Sequence, residues 1–165
     1  MNTKNLVTGA LLTALSIIIP VSFGAYLKIY IPPFSATLAS HVPTMLAFLI
    51  SPTVAVMVGL GSALGFLIML PPVIAARATI HAIFGLVGAL LVKRGLSFEK
   101  ALILTAPIHA IGEAIVVIPF GFNLYTALVV VGIGTLIHHF LDSAISVVLA
   151  KTVLSGFIHP GKIKA

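Results

Sequence analysis

Arg77 and His81 stand four residues apart in the stretch 70–85, LPPVIAARATIHAIFG, which is otherwise apolar enough for a bilayer. Four residues turn a helix by about 400°, so the two side chains share a face. An arginine at the centre of a membrane span costs about 2.5–3.5 kcal/mol on insertion scales, and less near an interface. Two placements lower that cost. The guanidinium can face a polar cavity or a polar or anionic ligand, or it can snorkel to the headgroups, because Pro71-Pro72 lies only about one and a half turns away. His109 and Glu113 repeat the spacing. They suit a binding pocket, a structural hydrogen bond between helices, or two of the ligands of a metal, and two are too few for a metal site. His138 and Asp142 are again four apart, as a satisfied polar pair or a proton relay. No Ser or Cys nucleophile stands with a matched base, and no G-x-x-x-x-G-K-[ST] motif is present to cradle ATP phosphates. An enzyme is not expected.

These residues sit in a chain of 165 residues that is 60% hydrophobic and 7% charged. Soluble domains are about 25% charged, so this is an integral membrane protein. At roughly 20 residues per span, the length accommodates about six transmembrane helices in one compact bundle, 1–165, with no room for a soluble domain. The absence of Cys excludes disulfide, iron–sulfur and thiolate–metal chemistry. The formal charge of +6 is dispersed over turns and tails, which argues against nucleic acid and for membrane topology. The apolar N-terminus lacks a clean A-x-A site and reads as the first span.

The all-α bundle must position the pairs. A first helix over 3–19 is expected to stop at Pro20. It carries Ala10 and Ala14, with Gly9 and Thr13 beside them, small residues that admit a neighbouring helix, within the chain or outside it. The connection 21–34, VSFGAYLKIYIPPF, is aromatic and apolar, and reads as a loop lying over something. Ser35 caps a second helix, 36–50, which carries His41 and is too short to span unaided. The third helix ends near Leu70 and has small residues at Ala55, Gly59 and Ala63, and at Gly61 and Gly65. The fourth covers 73–92. A fifth, 101–118, follows the charged turn KRGLSFEK, and a sixth, 125–154, carries His138, His139 and Asp142.

With both termini on one side, Lys4, Lys93, Arg94, Lys100, Lys151, Lys162 and Lys164 share it, leaving Lys28 and Arg77 for the other. The positive-inside rule then makes both termini cytoplasmic. On that orientation Arg77, His81, His109, Glu113 and His41 fall in the outer halves of their helices, with Asn123 and Tyr125 at the outer end of the last. One outward-facing pocket can collect them, roofed by Tyr26 and Tyr30 of the long loop. Glu113 and Arg77 could neutralise each other and each exchange its partner for a ligand group.

The pattern resembles the S components, the small substrate-binding membrane subunits of energy-coupling factor (ECF) vitamin transporters. The shared features cover nearly the whole chain: about six helices, a first helix with Ala10-x-x-x-Ala14, a long loop after it, and polar residues gathered in the outer halves of the later helices. The resemblance implies that Ala10 and Ala14 dock a coupling transmembrane subunit, that two ATPase subunits supply energy, and that the vitamin site uses Tyr26 to Phe34 (Tyr30 among them), Pro71-Pro72, Arg77, His81, His109, Glu113, Asn123 and Tyr125. It implies a multi-pass protein of the bacterial cytoplasmic membrane. Cobalt and nickel relatives use an N-terminal histidine, whereas this chain begins Met1-Asn2-Thr3, so no metal and no cofactor is expected. A small polar ring suits the mixture of His, Glu and Arg. Pyridoxine or hydroxymethylpyrimidine leads, and the carboxylates pantothenate and niacin, which Arg77 could pair with, come next. The rival is a stand-alone proton-coupled carrier using Glu113, His138 and Asp142.

Overall fold

In a computed structural model, which describes residues 2–153, the chain is a helical bundle capped at one end by a β-hairpin. Helix α1 spans Thr3–Leu27, with the Asn2 side chain accepting from the Asn5 backbone N–H at its start. It continues through Pro20, where the sequence reading ends it. Proline removes one intrahelical bond but is tolerated within a membrane helix, whose neighbours re-satisfy the freed carbonyl.

The expected loop is structured. Strands β1, Lys28–Ile31, and β2, Phe34–Thr37, pair antiparallel about a Pro32-Pro33 turn, with Ile31 opposite Phe34 and Lys28 opposite Thr37. β1 is exposed along its whole length. β2 buries Phe34 and Ala36 against Val117, Ala127 and Val131. The expected second helix over 36–50 is therefore a strand, a turn and a short helix, α2, Val42–Ala47. Nearly all of α2 is buried inside the protein, which is where irregular backbone at membrane depth is tolerated.

The other elements are α3 Pro52–Met69, α4 Pro72–Ala78, α5 Ile80–Lys93, α6 Phe98–Val117 and α7 Gly134–Thr152. α4 and α5 form one apolar helix with a break at Thr79, and a π-helical stretch, Thr126–Ile133, leads into α7. Among the described residues five helices are long and apolar enough to cross a membrane, and the short α2 makes the sixth helix of the bundle. The all-α membrane class fits, with the hairpin added.

Small residues set the packing. Gly9 faces Val54 and Met57, Gly61 faces Thr13 and Gly65 faces Ile17, so α1 and α3 run parallel and in close contact. Residues 38–51 must return from the hairpin end to the opposite end between them. A Cβ at Gly59 would collide with the backbone of Ala82, so α3 and α5 touch main chain to main chain. The apolar core of Phe48, Phe84, Phe98 and Leu102 lies towards the end away from the hairpin. Leu60, Leu64, Ile68, Ile103, Ile111, Ile115, Ile137 and Val148 are exposed, an arrangement suited to lipid rather than water.

Candidate functional site

Beneath the hairpin, helices α2, α4, α5, α6 and α7 bring their polar side chains to one place. Arg77, in the last turn of α4, is buried. Its Nε and Nη2 donate to Glu113 Oε2 at 3.0 and 2.6 Å, Nη1 donates to the Pro33 carbonyl at 3.0 Å, and Nη2 also reaches the Ser35 carbonyl at 3.4 Å. The guanidinium lies 5.4 Å from the Phe34 ring. Arg77 thus turns into the protein, and of its two sequence readings the cavity-facing one holds. One cation ties the hairpin to α6 through charge-assisted bonds.

Glu113 is shared more widely. Oε2 also accepts from Thr135 Oγ1 at 2.6 Å, and Oε1 faces His109 Nε2 at 3.3 Å and His81 Nε2 at 3.6 Å. His41, at the start of α2, places its Nε2 3.1 Å from His81 Nε2. One donor atom each from His41, His81, His109 and Glu113 lies within 4.8 Å of the others, a set that could hold a metal, and His41, His138 and Asp142 form a second such group.

Asp142 fastens the segment before α2. Its carboxylate accepts from the Ala39 N–H at 2.7 Å, the His41 N–H at 2.9 Å and His41 Nδ1 at 3.1 Å. Ala39 is held at φ 68, in the left-handed region a residue with a Cβ rarely adopts. His138 Nε2 lies 3.2 Å from Asp142 and bonds the Thr37 carbonyl at 3.1 Å. His138 and Asp142 are paired with each other and continuous with the cluster through His41.

A cavity of about 50 Å³ opens beside the cluster, lined among others by Lys28, Ser40, His41, Arg77, His81 and Glu113. Small-molecule sites usually begin at about 300 Å³, so a vitamin enters only if the hairpin or its Arg77 contacts shift.

Of the residues expected in the site, His41, Arg77, His81, His109 and Glu113 come together. Tyr26, Tyr30, Asn123 and Tyr125 do not: all four are exposed and outside the cavity lining. Tyr26 ends on the outer side of α1, Tyr30 points away on β1, and Asn123 caps the next helix through the Thr126 N–H. The roof is β2. Thr135, Ser62 and Asp142 were not expected there. Thr135, His138, His139 and Asp142 share a helical stripe, and that periodicity is visible in the sequence. Ala10 and Ala14 are exposed on α1, on a different face from buried Gly9 and Ser16.

No family model matches the chain, and no solved structure matches it. The chain is similar to the niacin transporter NiaX of Lactococcus lactis subsp. cremoris (strain MG1363), with 35% identity over 171 aligned positions that cover 93% of this chain and 76% of that one. With five apolar helices it is a multi-pass protein of the cell membrane, and a transporter rather than an enzyme. The chain belongs to the S components of ECF vitamin transporters, the family of that niacin transporter.

Proposed function

We infer that the chain captures niacin, a pyridine ring bearing a carboxylate, from outside the cell and delivers it through a coupling membrane subunit and two ATPases. Among the vitamins that the sequence left open, the similarity to a niacin transporter moves niacin ahead of pyridoxine and hydroxymethylpyrimidine. The observation that carries the reading is Arg77, a buried guanidinium beside the cavity, whose acceptors at Pro33 and Ser35 are neutral backbone carbonyls that a ligand can replace. A ligand carboxylate is a stronger acceptor than a backbone carbonyl, so it can displace those bonds while the pair with Glu113 persists. Lys28 at the cavity mouth adds a second positive charge for an incoming anion.

The proposed orientation puts the hairpin outside. Lys4, Lys93, Arg94, Lys100 and Lys151 belong to the opposite end, as the positive-inside rule asks of the cytoplasmic face; Lys162 and Lys164 lie outside the described residues.

The test is competition against labelled niacin on the purified chain. Niacin should compete best, and nicotinamide, which keeps the ring and loses the charge, should be weaker by about 10–100-fold, the worth of a charged hydrogen bond. Pyridoxine and pantothenate should be poorer still. Tighter binding of pyridoxine, or equal binding of nicotinamide, would overturn the assignment.

A further inference from the structure

We propose that His41, His81, His109 and Glu113 form a four-coordinate site for a divalent transition metal, Zn²⁺ or a close relative, at the inner wall of the cavity. Three imidazoles and a carboxylate from α2, α5 and α6 meet there. A tetrahedral ion with bonds of about 2.0–2.2 Å separates its ligand atoms by roughly 3.3–3.6 Å. Three of the six separations fall at or near that range, His41 Nε2 to His81 Nε2 at 3.1 Å, His109 Nε2 to Glu113 Oε1 at 3.3 Å and His81 Nε2 to Glu113 Oε1 at 3.6 Å, and all six lie within 4.8 Å.

The outer hydrogen bonds fix which nitrogen faces inward. Asp142 accepts from His41 Nδ1, leaving Nε2 with its lone pair. Ser62 Oγ donates to the Gly59 carbonyl at 2.8 Å, so towards His81 Nδ1 it accepts, and His81 Nε2 also carries a lone pair. His139 Nε2 donates to the Leu102 carbonyl at 2.9 Å, so its Nδ1 accepts from His109 Nδ1 at 3.0 Å, and His109 Nε2 follows suit. Glu113 Oε2 takes Arg77 and Thr135, turning Oε1 inward. Four lone pairs therefore converge, and the 3.1 Å contact between two imidazole acceptors is repulsive unless a cation lies between them. Partnering the far atom of every ligand is how proteins orient metal-binding side chains.

Charge points the same way. Arg77, Glu113 and Asp142 are the buried formal charges among the described residues, and they sum to −1. A dication makes the sum +1, which an incoming carboxylate neutralises. This charge argument rests on the niacin reading, whereas the coordination geometry does not.

The test uses the full, tag-free chain in detergent, stripped with a chelator and then given Zn²⁺ or Co²⁺, with niacin binding measured on the same samples. The site predicts one tightly held ion per chain and the intense visible bands of four-coordinate Co²⁺. His109→Gln should weaken metal binding by more than about 100-fold, beyond the usual loss of an outer partner. His138→Gln, outside the four ligands, should keep the ion. Should His109→Gln fail to fold, the wild-type Co²⁺ spectrum decides alone. A folded wild-type chain that retains no ion, a six-coordinate spectrum, or loss of metal in His138→Gln but not in His109→Gln would overturn the site; in the first case a shared proton holds the rings together. Metal binding without niacin binding supports the site and removes niacin. Niacin binding without metal does the reverse.

Discussion

Arg77 and Glu113 are bound to each other inside the membrane, and the consequences of changing either differ from those of changing both. Glu113→Gln leaves a buried guanidinium without its counter-charge, which typically costs about 3–5 kcal/mol. Arg77→Met leaves the carboxylate held by Thr135 and the histidines. The double variant removes the charge imbalance, so it should unfold at a higher temperature in detergent than Glu113→Gln and still fail to bind niacin. A double variant less stable than either single one would show that the pair acts independently of burial. Helical spacing puts Arg77 with His81 and His109 with Glu113 on shared faces, and the structure brings all four side chains together. Tyr26 and Tyr30 of the connection, and Asn123 and Tyr125 at the end of the last helix, are exposed instead, because position in a loop or near a helix end says nothing about side-chain direction.

At the level of elements, two helix faces carry small residues, one buried at Gly59 and one exposed at Ala10 and Ala14. Gly59 allows α3 to touch the backbone of α5 at Ala82. Gly59→Leu should therefore separate the helices and lower the unfolding temperature sharply, with a cost of several kcal/mol of the kind overpacking produces. Ala10 and Ala14 are exposed, so Ala10→Trp and Ala14→Trp should leave folding and niacin binding intact and abolish uptake in cells by keeping the coupling subunit away. Equal loss of binding and uptake would mean that those alanines pack within the protein. The hairpin was the element least legible in the sequence. Lys28–Ile31 and Phe34–Thr37 are four residues each, too short for alternation to register, and Pro20 reads as a helix stop in water although α1 continues through it. The expected second helix failed for the same local reason. Thr37, Ala39 and Ser40 form a turn pinned by Asp142, a partner more than a hundred residues away in sequence.

For the whole molecule, topology and assembly are directly measurable. The chain has no Cys, so Lys28→Cys should react with an impermeant thiol reagent in intact cells and Ser97→Cys should not. The reverse result would place the hairpin and its cavity on the cytoplasmic side and end the capture mechanism. Purification from its own cells should bring down a coupling membrane subunit and two ATPases, whereas a stand-alone proton-coupled carrier would come alone. The most direct measurement of the central claim is niacin and nicotinamide affinity in the wild-type chain and in Arg77→Met. If Arg77 reads the carboxylate, the wild-type preference for niacin, about 10–100-fold, collapses in Arg77→Met because niacin weakens while nicotinamide scarcely changes. An undiminished preference for niacin in Arg77→Met would show that the carboxylate is read elsewhere and would contradict the account.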